Sequence, residues 1–137
     1  MDLSKVRLVA GGFTVTGLDF GDKAEKAILV SNEKDKKRKE DKKLTTTKLR
    51  GIYALITNVS ANIDSEDSFK KNESDIKYLK VKMAYEAGRE DSVRDFLQDS
   101  KLMALLDDVC SYEKFVLYCR YAESLVAYFK FHGGRDK

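Results

Sequence analysis

The chain has 137 residues, enough for one domain with a real hydrophobic core, and combines 42% hydrophobic with 36% charged residues at a net charge of +3. No apolar run approaches the ~18 residues of a membrane span, and the N-terminus lacks a basic-then-apolar signal pattern, so a membrane or secreted protein is not expected. There is no proline where ~5% is usual, which favours long uninterrupted helices over a turn-rich β fold.

The opening stretch to Gly21 mixes β-formers with glycines and reads either as a short hairpin or as a poorly ordered arm. "FGDKAEKAILVS" reads as a short helix with Asp22 as its cap and Ala24, Ala27 and Ile28 on one side. "NEKDKKRKEDKK", residues 32–43, has no apolar side chain and is expected to be a mobile solvated linker or a frayed helical extension. Thr45 or Thr46 then caps a helix to about Ala61, with Leu49, Ile52, Leu55, Ile56 and Val59 on its buried face. "NIDSEDSFKKNES" is expected to be a polar loop. A helix from about Asp75 to Ala87 follows, with Ser74 as cap and Gly88 as a left-handed stop. "EDSVRDFLQDS" and "SKLMALLDDV" read as two shorter helices. Ser111 caps the last helix, about Tyr112 to Phe131, whose two apolar stripes place it at the centre of a bundle or at an interface. The expected fold is therefore all-α: a small single-domain bundle of about five helices over residues 44–132. A less ordered arm (1–43) precedes it and a short tail (133–137) follows.

Catalytic chemistry finds no candidates. His132 stands alone near the C-terminus, and the glycines lack a phosphate-cradling spacing. Cys110 and Cys119 are read as reduced, buried small hydrophobes of a cytoplasmic protein. Acidic pairs such as Asp107–Asp108 fall at helix ends, where capping and solvation account for them. Neither a catalytic site, a metal nor a cofactor is expected.

Charge is unevenly spread. Residues 32–50 carry nine basic and four acidic side chains, whereas residues 51–137 carry thirteen basic and fifteen acidic. Such a local excess bears on anionic partners rather than on fold. Lys48 and Arg50 lie in the first turn of the helix capped by Thr45, where cations oppose the helix dipole but, with free N–H groups and hydroxyls, suit a phosphate. Tyr78, Lys82, Tyr85 and Arg89 fall within about 60° of one another on a second helix, away from its core stripe. Two readings stand for that line. The cations meet phosphates while the tyrosines pack on sugar or base, or the tyrosines pack on a neighbouring helix with Lys82 and Arg89 reaching solvent around them.

Three segments, "LTTTKLRGIY", "YLKVKMAYEAGRE" and "YCRYAESLVAYFKF", together resemble the small subunit of type III-A CRISPR–Cas effector complexes, the Csm family. The likeness spans about residues 44–131, and the Tyr-Glu-Ala-Gly-Arg string is its most distinctive part. The resemblance implies a non-catalytic helical subunit present in several copies. Those copies form an inner filament along the crRNA–target RNA duplex, beside repeated backbone subunits and a large polymerase-like subunit. It also implies RNA-backbone contact by Lys48, Arg50, Lys82 and Arg89, with Arg120 and Lys130 as further candidates. A helical protein-interaction adaptor without nucleic-acid contact is the rival reading. A DNA-binding domain is disfavoured by the lack of a convincing helix-turn-helix pair.

Overall fold

The computed structural model describes residues 1–134. The chain opens with an antiparallel hairpin, β1 (Arg7–Ala10) and β2 (Phe13–Thr16), in which Leu8 faces Val15 and both are fully buried. A two-glycine turn closes it, with Gly11 at φ +59°, a backbone conformation that glycine adopts without strain. The residues before β1 fold back over its end. A Cβ on Gly17 would lie 1.8 Å from the Leu3 carbonyl oxygen, so only glycine lets the two segments pass. The hairpin is also tied to the body, because the Val9 N–H donates to Asp108 at 2.9 Å.

Helix α1 (Phe20–Asp35) starts earlier than expected and takes in the first third of the charged stretch as a helical extension. Asp19 rather than Asp22 stands at its N-cap, and its carboxylate accepts the Thr16 N–H at 2.7 Å. Ala24, Ala27, Ile28 and Ser31 are buried, and α1 packs mainly against the last helix. Its polar C-terminal half finds partners across the surface: Lys34 pairs with Asp99 at 2.6 Å, and Arg38 bridges Asp35 and Asp95. The N-terminal segment therefore shares one continuous core with the rest of the chain instead of standing apart as an arm. Alternation within the hairpin and the apolar face of α1 each supply a surface that needs covering.

After a 3₁₀ turn at Glu40–Lys42, the Thr45 hydroxyl accepts the Lys48 N–H at 3.1 Å and opens α2 (Thr46–Ser60), as the sequence predicts. The expected polar loop contains a short helix, α3 (Glu66–Lys71). Ser65 and Ser68 form a reciprocal capping box there, and Phe69 is buried against Phe115, the rings 6.2 Å apart. Helix α4 (Glu73–Arg89) starts after Asn72 and keeps Gly88 helical; it stops because Glu90 turns to extended backbone. Helix α5 (Asp91–Ser100) follows directly and ends on Lys101 at φ +61°. The "SKLMALLDDV" segment forms a 3₁₀ turn at Ala104–Asp108 rather than an α-helix. Leu102 and Leu105, three apart and both buried, suit three residues per turn.

Helix α6 (Tyr112–Phe131), capped by Ser111, occupies the centre and packs against α1, α2, α3 and β1. Phe115, Leu117, Tyr118, Tyr121, Ala122, Leu125 and Phe129 are all buried on it. The two buried tyrosine hydroxyls donate at 2.6 Å to the carbonyls of Leu102 and Ser100 respectively, so the end of α5 is tied into the core with its polar groups satisfied. The fold is a small helical bundle of six α-helices among the described residues, with one two-stranded hairpin. No described helix is long and apolar enough to cross a membrane.

Candidate nucleic-acid interface

Helix α2 runs antiparallel to both α4 and α6. Lys48 at its start pairs with Glu90 beyond the end of α4 at 3.2 Å, while Asn72, which opens α4, reaches the Asn62 carbonyl past the end of α2. On the other side Tyr53 and Ser60 of α2 share a surface depression with Tyr112 and Arg120 of α6. One end of the bundle therefore gathers the start of α2, the end of α4 and the α1–α2 connection. The last turn of α6 joins them, since Phe129 and His132 border the same depression as Lys36 and Lys43.

That end is rich in cations. Arg50 is exposed on the α2 face opposite the core stripe and has no ion pair among the described residues. Arg89 lines a cleft with Arg38, Lys39, Lys42, Glu90 and Asp91. Burial pushes the Asp35 carboxyl up, while the Leu44 N–H at 2.7 Å and the charges of Arg38, Lys43 and Lys48 hold it back, so this carboxylate is the buried counter-charge of the basic corner. Lys39 and Lys42 were not singled out in the sequence because their run reads as a solvated linker. The signal available was the single arginine among lysines: Arg38 is half-buried, and its guanidinium fork spans two carboxylates, fixing the segment against α5.

The other candidates separate in the structure. Lys48 is largely covered and engaged inside the protein, by Glu90 and by the Lys43 carbonyl at 3.1 Å, so its part is to join α2 to α4. Lys82 is exposed and its ammonium lies 5.2 Å from the Tyr78 ring centroid. The Arg89 guanidinium lies 5.7 Å from the Tyr85 ring, with Glu86 at 3.4 Å. Tyr78 and Tyr85 are 54% and 67% exposed, so the tyrosines do not pack on a neighbouring helix within the chain. Arg120 stands apart, exposed between α6 and α2, and Lys130 is exposed in the last turn of α6.

The side chains considered for catalysis lie apart from one another. His132 Nε2 is 2.8 Å from Glu25, an ion pair when protonated. Cys119 is mostly buried, and its thiol is pushed up to about 12, first by burial and then by Glu123. Cys110, expected to be buried, is exposed, because it precedes α6 rather than belonging to it. Among the described residues no three His, Cys, Asp or Glu side chains could together hold a metal ion.

The sequence profile of the Csm2 type III-A family matches residues 22–135. The chain is 37% identical over 122 residues to the CRISPR system protein Csm2 of Streptococcus thermophilus, covering 89% of this chain and 98% of that one. It is 41% identical over 95 residues to the Csm2 protein of Enterococcus italicus, covering 65% and 68% of the two chains. With the Mycobacterium tuberculosis Csm2 protein it shares 34% over 108 residues, covering 74% and 85%. The family match begins well before Leu44, where the resemblance read from the sequence began, and takes in most of α1 and the basic connection. The chain belongs to the Csm2 family of type III-A CRISPR systems, the small subunit of the Csm effector complex.

Proposed function

We propose that this subunit is non-catalytic and cytoplasmic. Copies of it form an inner filament along the crRNA–target RNA duplex, beside the backbone-repeat and large subunits, and contact the RNA backbone without reading its sequence. The observation that carries this reading is the cleft that exposed Arg89, Lys39 and Lys42 share with Arg38 at the end of the bundle where α2 begins. Three exposed cations on one cleft, beside the Lys48–Glu90 pair that joins α2 to α4, suit phosphates, and Arg50 is a further exposed cation early in α2. Sequence reading is left to guide pairing, so contacts that fix position are what such a subunit has to supply. Lys82 extends the surface along α4, and Arg120 and Lys130 are further contacts from α6.

The test is reconstitution of the effector complex with wild-type subunit or with an Arg50→Ala, Arg89→Ala variant. The expected result is unchanged incorporation of the subunit with weaker retention of target RNA. Unchanged incorporation with unchanged RNA retention would favour the adaptor reading, in which the subunit touches protein alone.

A further inference from the structure

We infer that α4 carries a track for unpaired RNA, in which Tyr78 and Tyr85 stack on unstacked bases while Lys82, Arg89 and the adjoining basic cleft take the phosphates. This rests on the RNA-binding reading and adds to its duplex-backbone contacts an unpaired form of RNA on one face. Tyr78–Lys82 and Tyr85–Arg89 are the same unit twice, an aromatic ring with a cation four residues on, repeated after seven residues. Seven residues are about two turns, so the two rings stand on one side of the helix about 10 Å apart along its axis. Each cation already lies against its ring, yet more than half of each tyrosine remains in solvent. The rings are therefore held in place and still open to a flat ligand.

The open ring faces select the form of RNA. Stacked bases are about 3.4 Å apart, so rings separated by about 10 Å leave room for about two bases between them or for one base on each. Either arrangement needs bases whose faces are open. In a duplex the base faces are buried in the helix, and the rings would meet only ribose and groove edges. An unpaired strand offers its base faces, which aromatic side chains bind whatever the sequence. Position agrees with chemistry: the track runs toward Arg89, where the cleft bordered by Lys39 and Lys42 begins, so a strand leaving Tyr85 meets further cations. Charge also distinguishes RNA from a protein helix docked on this face. Val81, 58% exposed, lies between the tyrosines, but a helix seated there would have to strip water from Lys82 and Arg89.

The experiment compares binding of a short oligouridylate and of an RNA duplex of the same length by the purified full chain. The proteins are the wild type, Tyr78→Ala with Tyr85→Ala, and Tyr78→Phe with Tyr85→Phe, each checked by circular dichroism and sedimentation. Both tyrosines are exposed, so the fold should survive. The track predicts binding of the oligouridylate as well as of the duplex. It also predicts a loss of about tenfold or more for each ring replaced by alanine on the single strand, little change on the duplex, and rescue by phenylalanine. An equal loss on both RNAs, no loss on the single strand, or binding of the duplex alone would overturn the track while leaving RNA binding intact. A change in sedimentation with RNA binding unaltered would assign the face to protein contact instead. Binding of neither RNA by the wild type would remove the RNA-binding reading itself.

Discussion

Tyr118 shows how one side chain can be both filler and tether. Its ring is fully buried, and its hydroxyl donates to the Leu102 carbonyl at 2.6 Å, closing the chain just after the left-handed turn at Lys101. Tyr118→Phe keeps the packing but leaves that carbonyl unpaired, and should cost about 1–2 kcal/mol in urea unfolding. A cost near zero would mean that water replaces the hydroxyl. The two cysteines provide a second test. Cys110 is exposed, whereas the Cys119 thiol is mostly buried and pushed up to about 12, far from forming a thiolate at neutral pH. Alkylation of the native protein followed by mass spectrometry should modify Cys110 alone. Equal modification of Cys119 would show that the α2–α6 seam opens readily.

Among the elements, the hairpin depends most on a single group. Asp108 accepts the Val9 N–H at 2.9 Å and pairs with Lys114 at 2.9 Å, holding β1 to the start of α6. Burial raises this carboxyl, but the Lys114 and Val9 hydrogen bonds outweigh it and the net shift is downward. A depressed folded value gives stability that is present above the ordinary value of 3.8 and lost as pH falls through the folded one. Asp108→Asn should therefore destabilise the protein at neutral pH, by about 1–2 kcal/mol, and the gap to wild type should shrink under acid below that value. A gap that stays constant across this range would rule out the carboxylate as the pin. The elements also differ in how legible they were. The helices α2 and α6 follow from apolar spacing and a capping hydroxyl, both local signals. The extent of α1 does not, because its second half is held by Asp99 and Asp95 sixty residues away. Helix α3 was hidden because its single buried residue, Phe69, leaves no periodicity to read. For the site, the exposure of Arg50 followed from helix geometry. The gathering of Arg89 with Lys39 and Lys42 did not, since it depends on the α1–α2 connection lying beside the end of α4.

At the scale of the whole molecule, a protein with a net charge of only +3 carries its positive excess in residues 32–50, while residues 51–137 remain slightly acidic. Binding driven by such a patch is modest for one copy and grows when copies line up along one RNA. It is also sensitive to salt, because each phosphate neutralised releases counterions. The most direct measurement is a salt titration of RNA binding by the purified protein beside the Arg50→Ala, Arg89→Ala variant, with folding verified by circular dichroism. The account predicts weak binding that falls with salt, and a variant that binds less with a slope shallower by about one unit for each cation removed. Identical affinity and slope for the two proteins, or no binding by the wild type at low salt, would contradict it.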